Sequence, residues 1–209
     1  MILEARNVEY VYKSQKERKV LDNISFQFEE KKFYTIIGAS GAGKTTFLSL
    51  LAGLDSPTEG TVLYEGEDIL TKGLNYHRKN HVSLVFQEYN LIDYLTTEEN
   101  VRLGGTDKPE ELLSKVNIAQ EAWKRNVMKL SGGQQQRAAI ARALASNAKV
   151  LLADEPTGKL DEPTAVESIA VLKRTAHELG KCVIVVTHSK YLANEADEIV
   201  QIADGIIVP

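Results

Sequence analysis

Eight residues, Gly38-Ala39-Ser40-Gly41-Ala42-Gly43-Lys44-Thr45, constrain this chain more than any others. They fit Gly-x-x-x-x-Gly-Lys-[Ser/Thr], a loop built to hold phosphate. Residues 32–37 predict a buried strand running into the loop. Residues 46–52 predict a helix leaving it, ended by Gly53. The glycines let backbone N–H groups converge on phosphate oxygens. The helix turns its unpaired N–H groups and positive dipole end toward the same anion. Lys44 is placed to reach β- and γ-phosphates, and Thr45 to offer its hydroxyl to Mg2+. The loop therefore predicts an α/β nucleotide-binding fold, and by itself nothing narrower.

The chain's 209 residues suit one α/β domain with room for a small subdomain. A net charge of −4, without a basic run, predicts no nucleic-acid partner. The single cysteine, Cys182, excludes an internal disulfide and a cysteine-rich metal site. It lies in the apolar run 182–186 and reads as a small buried hydrophobe. No stretch approaches the roughly 18 apolar residues of a membrane span. Residues 1–6 lack the apolar core of a leader peptide. The expected location is the cytosol, unless a partner holds the chain at a membrane.

In chain order, strands are expected at 2–10 and 20–29, joined by a polar loop over 13–19, as a small antiparallel β layer. Tyr12, ending the first strand, could stack on an adenine ring, but a strand-end tyrosine is commonly structural. A turn at 55–60 precedes a short strand, 60–64, and a hairpin turn at Glu65-Gly66. His77 and His81 have the i,i+4 spacing of a metal pair, but lack a third ligand and read as exposed helix residues. A buried strand over 82–86 ends at Gln87. Residues 88–129 read as a helical insertion, with a capping box at Thr96-Thr97-Glu98-Glu99 and Asp107 capping a second helix.

Leu130-Ser131-Gly132-Gly133-Gln134 then opens a strong helix, 135–145, with Ser131 as its N-cap. This is a second helix start suited to an anion, and one nucleotide does not readily use both starts of the same chain. Residues 150–153 form a buried strand that carries Asp154 and Glu155 to its carboxyl end, where α/β sheets bind ligands. Asp154 suits Mg2+, and Glu155 suits orienting and deprotonating a water aimed at a γ-phosphate. Asp161 caps the longest helix, up to Leu179, with a core stripe of Ala165, Ile169, Leu172, Ala176 and Leu179. A strand over 182–186 ends at His188, which is structural or bonds a γ-phosphate. A hairpin of 198–203 and 206–208 closes the chain.

In this order the motifs resemble those of the ATP-binding cassette (ABC) ATPases. They are Gly38 to Thr45, Gln87, Leu130 to Gln134, Val150 to Asp154 with Glu155, Leu160-Asp161, and His188, and they span essentially the whole chain. Phe86-Gln87-Glu88-Tyr89-Asn90-Leu91-Ile92 and Ala153-Asp154-Glu155-Pro156-Thr157-Gly158 are similar to the group of macrolide-export, lipoprotein-release, antimicrobial-peptide-resistance and cell-division ATPases. The resemblance implies a P-loop core with a mainly parallel sheet, a small antiparallel β subdomain and a helical insertion, all one domain over 1–209.

It further implies ATP and Mg2+ as ligands. Nucleotide contacts would come from Tyr12 (Tyr10 being the alternative), Gly38, Ser40, Gly41, Ala42, Gly43, Lys44, Thr45 and Thr46. The metal would be held by Thr45, Gln87 and Asp154, and catalysis would use Glu155, His188, Gln87 and Lys44. The two anion sites are reconciled if two copies pair head to tail, with Ser131, Gly132, Gly133 and Gln134 of one facing the ATP of the other. The implied setting is a homodimer on the cytosolic face of the membrane, joined to an integral-membrane permease. The implied role is powering export of a peptide, drug or lipoprotein-type substrate. The rival is an ATPase that drives a membrane signalling complex and moves nothing. Two features depart from the group: Lys159, where relatives commonly carry Asn or Ala and which meets acidic charge across the dimer or, the preferred reading, is solvated, and a short helical insertion.

Replacing Lys44 with Ala is expected to weaken nucleotide binding, measured by equilibrium titration with a fluorescent ATP analogue. Unchanged affinity would remove the lysine from the account.

Overall fold

The computed structural model describes residues 1–12 and 19–208. The polar loop expected over 13–19 therefore lies outside the described residues except for Lys19, as does Pro209. The first half of the chain runs β1 (Leu3–Val11), β2 (Lys19–Phe28), β3 (Phe33–Ile37), α1 (Lys44–Leu51), β4 (Glu59–Tyr64), β5 (Glu67–Asp68), α2 (Leu74–Asn80) and β6 (Val82–Val85). Helices α3 (Thr97–Arg102), α4 (Pro109–Lys115) and α5 (Gln120–Trp123) follow, with a 3-10 turn at Val127–Lys129. The chain continues through α6 (Gly132–Leu144), β7 (Val150–Asp154), α7 (Glu162–His177), β8 (Cys182–Val186), α8 (Lys190–Asn194), β9 (Glu198–Ala203) and β10 (Ile206–Val208).

Two sheets result. One is antiparallel, in the order β2-β1-β4-β5; the other runs β10-β9-β3-β8-β7-β6. In the second, the pairs β9–β3, β3–β8, β8–β7 and β7–β6 are all parallel, and only β10 is antiparallel. A sheet covered on both faces can be apolar throughout. In β8 every residue is buried, and alternation sends Cys182, Ile184 and Val186 to one core and Val183 and Val185 to the other. The first core lies between the two sheets and contains Phe47 and Leu50 of α1. The second contains Ala138 to Ala141 of α6 and Ile169 and Leu172 of α7. Burying a side chain such as Phe47 or Leu172 stabilises the fold by about 1.5–3 kcal/mol each.

Local chemistry fixes the ends of the helices. Thr96 with Glu99, and Ser131 with Gln134, form complete capping boxes, and Asp161 accepts from the Thr164 N–H. The α1 helix ends as expected. Gly53, at φ 65, donates to the Leu50 carbonyl, and Leu54 donates to that of Ser49. This is the paired pattern that a left-handed glycine makes possible. Three expectations need correction. Asp107 does not cap α4: Lys108 stands at the N-cap without a side-chain bond, and Pro109 opens the helix, needing no donor there. Leu179 falls beyond α7 and is exposed, because Gly180 turns the chain toward β8.

The third concerns His77, expected on the surface but only 1% exposed. The expectation treated α2 as a solvated helix, whereas it packs its ring over the end of α1. Nε2 donates to the Leu51 carbonyl at 3.0 Å, so Nδ1 is the acceptor for the His81 ring at 3.1 Å. His81 in turn stacks on Tyr64, with ring centroids 3.8 Å apart. The histidines are thus a structural tie between α2 and the phosphate-loop helix. Burial above all pushes the His77 pKa from 6.5 down to about 4. The unfolded chain therefore takes a proton that the folded chain refuses between those values. The associated stability is present above pH 6.5 and is lost as pH falls to 4, about 3 kcal/mol in all. Urea unfolding between pH 7 and 4.5 is expected to show this slope in the wild type and a shallower one in His77→Gln. Parallel profiles would show that another group titrates.

Candidate functional site

The parallel strands deliver their polar ends to one edge of the sheet. The loop 38–43 follows β3, Gln87 follows β6, Glu155 follows β7 and Thr187-His188 follow β8. Between the loop and these ends lies a cleft of 480 Å³. Ser40, Gly41, Gly43, Lys44, Thr45 and Thr46 form one wall, and Glu155 and His188 another. Tyr12 stands at the mouth.

The loop's shape is set by its neighbours. Gly43 has φ 103, and a methyl built on it would lie 2.7 Å from Leu21 Cδ2 and 2.8 Å from the Val20 carbonyl oxygen. Only glycine fits that position, so α1 starts with its N–H groups clear of any side chain. The helix begins at Lys44, two residues earlier than expected. Lys44 is buried, and Nζ donates to the carbonyls of Gly38 and Ala39 at 2.9 Å each. These two bonds leave the ammonium one further N–H, and Lys44 lines the cleft.

Across the cleft, Thr45 Oγ1 donates to Asp154 Oδ1 at 3.3 Å. Burial is the main force raising the Asp154 carboxyl above its usual range, and the threonine bond opposes it. A bound cation would offset that desolvation penalty. The donor set, one carboxylate and one hydroxyl, is of hard oxygens and fits Mg2+. Next in sequence, Glu155 sits in the left-handed region at φ 47. That conformation costs about 1–3 kcal/mol in a residue with a side chain. It swings the carboxylate off the strand axis, so that Oε1 lies 2.7 Å from His188 Nε2. A carboxylate beside an imidazole at the mouth of a phosphate site can accept a proton from water.

The two tyrosines separate cleanly. Tyr10 is buried and donates to Asp55 Oδ2 at 2.5 Å. That bond, and burial after it, push its pKa up to about 12. Tyr12 packs edge-on against Tyr10, with centroids 5.1 Å apart, and its hydroxyl shares a 3.0 Å bond with Thr46 Oγ1. It is 44% exposed, so its ring is free on the cleft side.

Not every expected residue reaches this cleft. Gln87 is exposed and does not line it; a methyl built on Gly158 would lie 3.2 Å from its Nε2 and 3.3 Å from Glu155 Oε2. Ser131, Gly132, Gly133 and Gln134 are also absent from its walls. They form the first turn of α6, which packs against α7 instead. The Gln134 side chain is used in cis, accepting from the Ser131 N–H at 3.0 Å. Lys159, read as solvated, pairs with Glu88 of its own chain. The sequence reading missed Lys19, Val20, Asp204 and Gly205, which complete the cleft wall. Asp204-Gly205 was visible only as a turn, and its approach to the start of β2 has no local sequence signal.

The family model for ABC transporter proteins matches residues 21–158. The chain belongs to the ABC transporter family. It is an ATP-binding cassette, and an ATPase by that membership. An uncharacterised ABC transporter ATP-binding protein of Bacillus subtilis (strain 168) is 42% identical over 214 residues, covering 98% of this chain and 94% of that one. The macrolide export ATP-binding/permease protein of Salmonella typhi is 38% identical over 221 residues, covering 99% of this chain but 34% of that longer protein. The dimeric structure of the ABC transporter cassette MJ0796 superposes with a TM-score of 0.89 at 36% identity, covering 100% of this chain and 97% of that one. A post-hydrolysis dimer of the same cassette, bound to ADP and Pi, gives 0.87 at 35%, with the same coverage.

The first turn of α6 tolerates no side chain at Gly133, where a methyl would lie 1.9 Å from Thr164 Cγ2. Gly133→Ala is expected to lower stability by about 1–3 kcal/mol through overpacking. A second substitution, Thr164→Ala, should restore the unfolding midpoint. A single variant as stable as wild type would show that α6 and α7 part easily there.

Proposed function

We propose that this cassette works as one domain of 209 residues, with 88–129 as its helical arm, and that two copies enclose ATP between them. The observation that carries the reading is the division of the site. The cleft holds the phosphate loop, Glu155 and His188, whereas Ser131 and Gly132 stand exposed at a separate helix start. A second copy turned head to tail brings Ser131, Gly132, Gly133 and Gln134 to the open side of that cleft. The dimeric arrangement of MJ0796 supports this pairing.

In the enclosed site Lys44 and the loop N–H groups of Gly38 to Thr46 neutralise the β- and γ-phosphates. Thr45 and Asp154, with Gln87, would hold Mg2+, which would supply positive charge against the negative charge of the phosphates. Tyr12 stacks on the base. Glu155 accepts the proton of the attacking water as the bond from γ-phosphorus to the bridging oxygen breaks, giving ADP and phosphate. His188 holds the Glu155 carboxylate and the γ-phosphate in register. Hydrolysis removes the ligand that joins the copies, so binding closes the dimer and turnover opens it.

The partner is an integral-membrane permease, with the cassettes on its cytosolic face. None of the described helices is long and apolar enough to cross a membrane. The Salmonella relative is named as an ATP-binding/permease protein, of which this chain matches one third. The role we assign with that permease is export of a peptide, drug or lipoprotein-type substrate, and the macrolide export named for the Salmonella relative supports it. Glu155→Gln is expected to bind Mg·ATP normally, to lose turnover by at least about 10²-fold, and to accumulate as a dimer in light scattering. A strictly monomeric variant at saturating Mg·ATP would overturn the shared site.

A further inference from the structure

The four residues from Gln87 to Asn90 are fastened from two directions. Tyr89 and Asn90 both have left-handed backbone, at φ 58 and 50. Their carbonyls accept from one guanidinium, that of Arg142 on α6, at 3.0 and 2.6 Å. On the other side Glu88 forms an ion pair with Lys159, from the loop that follows Glu155. The two loops then meet the start of α6 together: a methyl on Gly132 would lie 3.3 Å from the Tyr89 hydroxyl and 3.8 Å from Leu160 Cδ2. Gly158, beside Lys159, lies between the Gln87 amide and the Glu155 carboxylate, and its N–H donates to the Glu155 carbonyl at 3.1 Å. Glu88 is adjacent to Gln87 and Lys159 is adjacent to Gly158, so one ion pair closes the ring.

We propose that Lys159 is a positioning residue for ATP hydrolysis: by pairing with Glu88 in the same chain, it holds the loop of Glu155 against the loop of Gln87. Both partners are largely exposed, with side chains 43% and 71% accessible. The pair is therefore screened and contributes little to global stability. Its effect is local, in the angle at which Gly158 spaces the amide from the carboxylate. Small displacements there weigh heavily on the reaction, because proton transfer to Glu155 requires hydrogen-bond distance to the water. The exposed position also leaves the pair open to ionic strength, which a packed core contact would not be. This inference rests on the ATPase reading and on Glu155 as the base.

The test uses the full chain and four variants: Lys159→Gln, Lys159→Glu, Glu88→Lys, and the exchange Lys159→Glu with Glu88→Lys. Steady-state hydrolysis, ATP-analogue affinity and the unfolding midpoint are measured for each. The three single variants should lose about 3–10-fold in kcat, with KM, nucleotide affinity and the midpoint close to wild type. The exchange should return kcat to within about twofold of wild type. Raising the salt should lower wild-type kcat toward that of Lys159→Gln and leave the latter nearly flat. Unchanged kcat in the single variants overturns the proposal, as does an exchange no better than its parents, which would place the partner of Lys159 on another chain. A loss that follows the unfolding midpoint also overturns it, because that is a structural role. A wild type whose hydrolysis does not depend on Glu155 would remove the base assignment itself. Normal Glu155 dependence with indifferent Lys159 variants removes only the positioning role.

Discussion

The ladder β3–β8–β7–β6 sets how far apart the polar groups of the cleft can stand. Neighbouring strands are held about 4.8 Å apart. Side chains leaving the carboxyl ends of adjacent strands therefore meet within hydrogen-bond reach. Glu155 after β7 and His188 after β8 do so at 2.7 Å, whereas Thr45, in the first turn of α1, reaches past the end of β8 to Asp154 at 3.3 Å. Both faces of these strands are buried, so a slip of one residue would exchange the contents of two cores. The register that protects the apolar interior is the same register that places the carboxylates.

The site also concentrates features that an interior would otherwise avoid. Glu155 holds a left-handed backbone, Lys44 is buried among carbonyls, and the Asp154 carboxyl is lifted by burial. Each costs free energy in isolation, and each is tolerated because the surrounding strands are buried and paired on both sides. Opposite charge offsets part of the cost, since the Lys44 ammonium favours the ionised form of Asp154. A polyanion with its cation would complete that balance. The second anion-suited helix start, at Ser131, shares none of these strains. It is capped by its own Gln134 and faces outward.

Signals confined to a few consecutive residues were legible in the sequence. The phosphate loop, the capping box at Thr96, the Ser131 N-cap, the Gly53 end of α1 and the buried strands β7 and β8 all appear where their residue patterns put them. Helix α2 was the main loss. Its histidines were read as exposed because i,i+4 spacing gives a face but not what covers it; Leu51 and Tyr64 come from distant elements. Lys159 is exposed as expected, and only its partner was hidden, for the same reason, since Glu88 lies 71 positions away. Alternation does not separate Tyr10 from Tyr12, because they are two positions apart, with Tyr12 just beyond the end of β1. They differ through Asp55, which takes the Tyr10 hydroxyl into the interior.

The sequence by itself determined the chemistry available to this protein: which helix starts can meet an anion, which strand ends carry carboxylates, and which side chains must be buried. These follow from spacing along the chain, because helix caps, turns and strand faces are formed by near neighbours. The tertiary structure alone decided which of those groups share a space. It joined Thr46 to Tyr12, Glu155 to His188 and the β9–β10 turn to the cleft wall, and it kept Ser131 away from Lys44's cleft. Contacts between distant segments depend on the packing of whole sheets and helices, and no local pattern of residues encodes them.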